Sequence, residues 1–245
     1  MDVAAFGWAT QDRLAVLVLG TVILCYPISY FVPWTFRSLL EGQGVHGRNL
    51  EIAVVILQRL FGAVLLSVPP IWTATNWLPA STNRYGVNFD GLWVSLILSG
   101  ISWVVVWFGF RFVVKVWPWV LKGYPEIHVE CWDVRLLTLN TVSWVIYLAA
   151  YEFLFRGFLL YPLRDLYGAW PAVMITTALY SFTHLVKQPQ EQFSTIWIGI
   201  LYGVLALWTG SILAPYLIHA FTAPVSEYFA IRTHPEMFIV RKCSK

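Results

Sequence analysis

The sequence predicts an all-α polytopic membrane protein, a transmembrane helical bundle of about seven to eight spans. Of its 245 residues, 58% are hydrophobic and only 12% are charged, whereas an average soluble domain is about 25% charged. Aromatic residues make up 17% and include 14 tryptophans, which suits the two interfaces of a membrane. The apolar runs are long and continuous, unlike the alternating ten-residue strands of a β-barrel. The net charge of +3 is too small to indicate nucleic-acid binding.

Seven apolar runs meet or approach the roughly 20 residues that a helical span needs. They cover about residues 14–36, 52–72, 91–114, 143–163, 169–186, 195–208 and 211–231. Pro27 and Pro33 are expected to bend the first run. That run is too long for a signal peptide and no cleavage site follows it, so we interpret it as a retained span. The sixth run is short unless residues before it are also helical.

The connections contain turn-forming or mixed sequence. Residues 41–44 and 79–83 are rich in turn formers, and Gly210 with Ser211 predicts a tight turn between the last two spans. Residues 115–139 mix tryptophan, proline and charges, which favours an interfacial helix or loop. We expect one membrane domain in three parts: N-terminal helices with an interfacial segment (1–142), a four-helix core (143–231) and a tail (232–245).

Lysine and arginine are unevenly distributed between the two sides of this arrangement. With the N-terminus outside, eleven fall on the cytoplasmic side and three on the outer side. The eleven are Arg37, Arg48, Arg111, Lys115, Lys122, Arg135, Lys187, Arg232, Arg241, Lys242 and Lys245, and the three are Arg13, Arg84 and Arg164. The positive-inside rule therefore predicts an outer N-terminus and a cytoplasmic C-terminus, in a bacterial inner membrane or its equivalent.

Residues 151–160 place an acid and a base inside an apolar run. Glu152 and Arg156 are four residues apart, so they share one helix face and can pair. Charges are expensive in hydrocarbon, which makes such a pair a functional-site hypothesis. His184, near the inner end of the fifth span, and His219, in the seventh, reach depths from which they could line one cavity with Glu152. A purely structural ion pair and two packed histidines stay open as alternatives.

Arg59 also lies within a span, where it could snorkel or pair with a loop acid, and we assign it no function. Two histidines and a glutamate could hold zinc, but the His-Glu-x-x-His pattern is absent. We therefore expect no cofactor and keep a metal as the minor alternative. The cysteines Cys25, Cys131 and Cys243 lie far apart and predict neither a disulfide framework nor a zinc site.

Three motifs, in order, resemble those of a known family. They are Glu152-Phe-Leu-Phe-Arg156-Gly157, Tyr180-Ser-Phe-Thr-His184, and the stretch that ends in His219. Together, over about residues 143–230, they resemble the CAAX prenyl protease and bacteriocin-processing family (CPBP or ABI) of intramembrane glutamic proteases. The resemblance implies that Glu152, Arg156, His184 and His219 stand at family-equivalent catalytic positions, with Tyr180 in a phenylalanine position.

Two positions depart from the family pattern. In the family, a glutamate precedes the position of Glu152 and activates water with the second-motif histidine, and an asparagine or aspartate follows the third-motif histidine. Here Tyr151 and Ala223 stand at these places. Tyrosine ionises only near pH 10, so it is a poor general base, and alanine has no oxyanion donor, a loss that typically costs about 100- to 1,000-fold in rate.

We therefore expect a catalytically impaired or inactive relative that binds a membrane partner, a lipidated or membrane peptide or lipids, or that serves as a subunit of a membrane complex. The alternative is an active intramembrane endopeptidase that uses Glu152, His184 and His219. A pigment-, lipid- or haem-binding accessory protein is a weaker third interpretation.

Overall fold

A computed structural model describes residues 9–78, 85–117, 123–185 and 187–243, and within them the chain is mainly helical. The helices are α1 (Thr10–Phe31), α2 (Trp34–Gly42), α3 (Gly47–Trp77), α4 (Leu92–Val116), α5 (Val134–Glu152), α6 (Leu160–Tyr167), α7 (Ala169–Phe182), α8 (Pro189–Thr209) and α9 (Leu213–Thr233). A π-helical segment, Phe153–Leu159, joins α5 to α6. Two short strands, β1 (Cys131–Asp133) and β2 (Phe238–Val240), pair in parallel. The predicted all-α helical bundle is confirmed.

Within the residues that the structure describes, five stretches of helix are long and apolar enough to cross a membrane. They are Gln11–Gly42, Gly47–Trp77, Leu92–Val116, Val134–Tyr167 and Pro189–Thr209. α7 and α9 pack against α8 and α4 in the same bundle. The protein is therefore an integral, multi-pass membrane protein.

The first helix breaks where the sequence predicted a bend. α1 ends at Phe31, Pro33 is the N-cap of α2, and Pro27 lies inside α1. The predicted turn at Gly210 is also present, because Gly210 has a φ of 71° and ends α8, a conformation that favours glycine. The predicted turn at residues 79–83 lies outside the described residues, as do Arg84, Lys122 and Lys245.

The fourth span begins at Val134, nine residues before its predicted start. The Asp133 side chain accepts a hydrogen bond from the Leu136 amide at 2.9 Å and so caps the helix directly after β1. α8 likewise begins at Pro189, so the loop before the sixth run is helical. Proline suits a first helical position because its missing N–H has no partner there anyway.

The span that carries the motif lies at the centre of the bundle. In its most apolar window of 18 residues, 67% of the window is buried inside the protein, whereas the corresponding window of α4 is only 11% buried. Leu154, Phe155, Phe158, Leu159 and Leu160 are fully buried and contribute to the main hydrophobic cluster. Glu152 and Arg156, which are fully buried in this span, are thus surrounded by protein rather than by lipid.

A disulfide joins Cys131, at the start of β1, to Cys243, after β2. The spacing of the cysteines predicted no disulfide framework, and for these two that prediction was wrong. They are 112 residues apart, and only the return of α9 to the side of β1 brings them together. A small hydrophobic cluster that includes Ile127, Trp132 and Ile231 packs beside the pair. Cys25 is a free, buried cysteine.

Candidate functional site

A cavity of about 780 Å³ opens among the helices. Several of the residues singled out by the motifs border it, whereas Glu152 and Arg156 are fully buried and are not part of its lining, so the expectation that Glu152 lines the cavity was wrong. Tyr151, His184, His219 and Ala223 line it. The structure thus brings both histidines to one cavity, although the depth argument behind that expectation used the wrong helix start. Glu152 lies 18 residues after Val134, roughly 27 Å along the helix rather than 14 Å.

Glu152 is completely buried and has two partners. Its Oε1 lies 2.6 Å from His219 Nδ1, and its Oε2 lies 3.4 Å from Arg156 Nε. A carboxylate only accepts hydrogen bonds, so His219 Nδ1 donates. The ion pair predicted between Glu152 and Arg156 is present, and His219 adds a second partner that the sequence did not indicate.

Arg156 is buried within the π-helical segment. Its guanidinium lies 4.3 Å from the centre of the Tyr180 ring and 5.3 Å from that of Tyr202. Aromatic faces attract cations, most strongly where water is excluded. π-Helical turns are rare and often mark functional sites. This turn begins directly after Glu152, so it sets where the Arg156 side chain leaves the helix.

Tyr151 and His184 are connected through one hydroxyl group. The Tyr151 hydroxyl lies 2.7 Å from Thr183 Oγ1, which lies 2.9 Å from His184 Nδ1. Thr183 donates its single proton to the Tyr180 carbonyl at 2.6 Å, so it accepts from Tyr151 and from His184. His184 Nδ1 therefore carries a proton.

Ala223 occupies the second departure from the family pattern. It lies on α9, one helical turn after His219, and its methyl group borders the cavity. A methyl group donates no hydrogen bond. This position therefore contributes volume to the cavity but no stabilisation of a developing negative charge.

Comparison with protein families gives one match. Residues 133–223 match the family model described as type II CAAX prenyl endopeptidase, Rce1-like. This segment is therefore similar to the CAAX prenyl endopeptidases, in agreement with the resemblance of the three motifs. The matched range contains Glu152, Arg156, His184 and His219 and ends at Ala223. The comparisons with curated proteins and with solved structures give no match.

A second polar cluster, which we call the Arg59 cluster, lies beside the same cavity. Arg59 donates to Asn140 Oδ1 at 2.7 Å and to Ser143 Oγ at 2.9 Å. It also pairs with Glu126 Oε2 at 3.0 Å and with Glu227 Oε1 at 3.2 Å. Both Arg59 and Glu227 are buried. Pairing with a loop acid was one of the two readings open for Arg59, and Glu126 is such an acid.

Glu227 was missed by the sequence analysis, although a carboxylate inside an apolar run is itself a signal of a buried partner. Its Oε2 accepts from Asn140 Nδ2 at 2.6 Å and its Oε1 from the Glu126 amide at 3.1 Å. Nothing in the spacing of Arg59, Glu126, Asn140 and Glu227 indicates their meeting, since they come from four separate segments.

Glu126 extends the cluster to the loop after α7. Its Oε1 lies 3.0 Å from Lys187 Nζ. Burial alone would raise the pKa of Glu126, but the Lys187 ammonium and the Arg59 guanidinium outweigh that effect and hold the pKa at about 2. The Glu126 carboxylate in turn raises the pKa of Lys187 above its ordinary range, against the effect of burial. Both groups are therefore charged at neutral pH.

Within the described residues, no group of three or more His, Cys, Asp or Glu side chains is arranged to hold a metal ion. His219 and Glu152 contact each other, and His184 bonds to Thr183 and to the Tyr180 carbonyl. The two imidazoles therefore hydrogen-bond to different partners and do not converge on a common metal position.

Proposed function

We propose that this protein is a catalytically impaired relative of the CAAX prenyl proteases. In this proposal the cavity binds a membrane peptide or the lipidated tail of a membrane partner without cutting it. The protein would act as a binding subunit of a membrane complex. The observation that carries the proposal is the Tyr151–Thr183–His184 chain.

Tyr151 stands where the family pattern has the water-activating glutamate. Its phenol is buried, with 4% of the residue exposed, and donates to Thr183. The imidazole of His184 is tied to the same hydroxyl at 2.9 Å. A phenol in this bond offers a water molecule no basic oxygen near His184 at neutral pH. The missing base therefore accounts for impaired hydrolysis.

Glu152 does not replace that base readily. Both of its oxygens face cations or a donor, His219 Nδ1 at 2.6 Å and Arg156 Nε at 3.4 Å. Pairing with positive charge weakens a carboxylate as a proton acceptor. Ala223 adds the lack of an oxyanion donor, so two separate steps of hydrolysis are affected.

The lining of the cavity favours an amphipathic ligand. Seven tyrosines border it, together with Trp117, Trp144 and Phe110. The remaining polar lining includes Lys187, Gln188, Gln190 and Glu191, which lie in or next to the loop between α7 and α8. A cavity with an apolar, aromatic body and one polar end suits a chain whose tail is apolar and whose backbone is polar.

The second candidate is an active endopeptidase that uses Glu152, His184 and His219. The 2.6 Å contact between Glu152 and His219 favours it, because a carboxylate that orients an imidazole is a common catalytic arrangement. In this candidate His219 would act as the base, with His184 on the facing side of the cavity.

The test is cleavage and binding by the full chain in nanodiscs, with a panel of farnesylated and unmodified membrane peptides. We expect binding without turnover. We also expect that Tyr151→Glu combined with Ala223→Asn gains cleavage. Turnover by the wild type that is abolished by Glu152→Gln and by His184→Ala would refute impairment and establish the second candidate. Absence of binding at the peptide concentrations that are reached within a membrane would refute the binding role.

We further propose that the N-terminus lies outside and the C-terminus in the cytoplasm, in a bacterial inner membrane or its equivalent. The distribution of lysine and arginine supports this orientation. The polar end of the cavity and β2 would then face the cytoplasm. Labelling of single introduced cysteines at residue 46 and at residue 88 with a membrane-impermeant maleimide tests it: only residue 88 should react in intact cells.

A further inference from the structure

The described segment that runs from α4 towards α5, residues 123–133, crosses the polar end of the cavity, and we call it the strap. The Tyr124 hydroxyl donates to Glu191 Oε1 at 2.9 Å, and Glu126 pairs with Lys187 at 3.0 Å. Gly123, Tyr124 and Glu126 all border the cavity. Anything that enters the cavity from this end must pass or displace the strap.

The far end of the strap is fastened to the C-terminal tail. Residues 131–133 pair with residues 238–240, the Phe238 amide donates to the Glu130 carbonyl at 2.9 Å, and a disulfide joins Cys131 to Cys243. Among these attachments the disulfide is covalent. The ladder is only three residues long, so it is a weak attachment without that bond. Ile127 and Trp132 of the strap also pack in a small hydrophobic cluster with Ile231, so loss of the bond loosens the strap rather than detaching it.

The surroundings of the disulfide favour thiol exchange. Both cysteines are half-buried rather than enclosed. Arg48 Nη2 lies 3.7 Å from Cys243 Sγ. Cys243 borders a surface pocket that is also lined by three cations, Arg135, Arg241 and Lys242, and by one carboxylate, Asp133, which accepts from the Cys243 amide at 3.4 Å. Nearby positive charge stabilises a thiolate, the form in which a sulfur leaves during exchange.

The position of the disulfide also distinguishes it from a permanent cross-link. The orientation given under Proposed function places the strap and the tail in the cytoplasm. Cytoplasmic thiols are kept reduced, and disulfides found there are usually transient or redox-sensing. A half-exposed disulfide among cations, on that side, has the properties of a regulated bond.

We propose that Cys131 and Cys243 form a thiol-exchange site that locks the strap across the cavity when oxidised and frees it when reduced. A dithiol reductant supplies the chemistry. One of its thiolates attacks a sulfur of the pair, which breaks the Cys131–Cys243 bond and forms a mixed disulfide. Its second thiol then displaces the remaining cysteine. The reductant loses two electrons and two protons and becomes a disulfide, and Cys131 and Cys243 become two thiols. The inference rests on the proposed orientation for the reducing side of the membrane and on the proposed function for what enters the cavity.

The test is hydrogen–deuterium exchange of the full-length chain in nanodiscs, with and without dithiothreitol. In the wild type, we expect the amides of residues 123–133 to exchange on the order of tenfold faster after reduction, because a disulfide that closes a long loop contributes strongly to holding its ends. Cys131→Ser combined with Cys243→Ser should exchange fast in both conditions. Cys25→Ala is the matched control, since it removes the buried free cysteine, and it should behave like the wild type.

Exchange in residues 123–133 that is unchanged by reduction in the wild type would overturn the inference. Failure of the wild type to form the disulfide in oxidised glutathione would also overturn it. The wild-type comparison needs no variant, so misfolding of the double variant cannot hide the answer. Binding of a farnesylated peptide is measured in parallel. A strap that responds to reduction while no peptide binds supports the exchange site and counts against the proposed function instead.

Discussion

Replacing Arg59 by methionine is expected to destabilise the protein strongly. The side chain fills a buried space and donates to Asn140, Ser143, Glu126 and Glu227 at 2.7 to 3.2 Å. Methionine keeps most of the volume but removes the charge. Glu227, which is fully buried, then stays ionised beside Glu126 without a cation or must take up a proton. Breaking a buried ion pair from one side typically costs about 3–5 kcal/mol, and we expect a loss in this range.

The matched control is Arg37→Met. Arg37 also donates through both Nη atoms to a glutamate, Glu51, at 2.8 Å. Its side chain is 46% exposed and that of Glu51 is 32% exposed, so the pair contributes about 0–1 kcal/mol. The two substitutions make the same chemical change at sites that differ mainly in burial.

The assay is unfolding by sodium dodecyl sulfate in mixed micelles, followed by circular dichroism. Combining Arg59→Met with Glu227→Leu removes both charges, and we expect it to regain about 2 kcal/mol or more over the single variant, because contacting residues couple. Equal losses for Arg59→Met and Arg37→Met would refute the reasoning. So would a double variant whose loss equals the sum of the two single losses.

Three further predictions use the same assay. Gly157→Ala should cost about 1–3 kcal/mol, because its Cβ would come 2.9 Å from the Tyr85 carbonyl oxygen. Gly100→Ala, with nothing within 4 Å of the added Cβ, should leave stability unchanged or raise it by up to about 1 kcal/mol, because alanine favours a helix over glycine. Equal losses at the two positions would contradict the close contact. The pKa of Glu126 is lowered to about 2, so the ionised carboxylate stabilises the folded protein. This contribution should be complete above the ordinary pKa of about 4.5 and decline as the pH falls towards 2. Glu126→Gln should weaken this pH dependence of stability. Asp133→Ala should cost about 1 kcal/mol through loss of the helix cap, and Asp133→Asn should restore most of it; no recovery would show that the charge matters more than the cap.

The sequence was sufficient for the parts of the fold that local chemistry determines. Apolar length located the helices, Pro33 located the break between α1 and α2, and Gly210 located the last turn. The four-residue spacing of Glu152 and Arg156 located their ion pair. Each of these depends on residues close together in the chain.

Most of the structural features that the sequence analysis did not predict depend on residues far apart in the chain. The start of α5 at Val134 depends on the Asp133 cap, which a count of apolar residues does not register. The Arg59 cluster and the disulfide combine segments separated by many helices. The π-helical turn after Glu152 has no composition signature. The Arg59 cluster and the disulfide depend on long-range packing, about which periodicity carries no information. The Asp133 cap is a local signal that the sequence analysis did not use.

The bond between Cys131 and Cys243 divides the chain into a closed ring and an open arm. The ring includes α5 to α9 and contains all of residues 133–223. The covalent connection of α1 to α4 to this ring is the backbone that precedes Cys131. One proteolytic cut anywhere inside the ring leaves both fragments linked until a reductant is added. A cut between α3 and α4 releases an arm fragment at once, so the two kinds of nick separate on gels run with and without reductant.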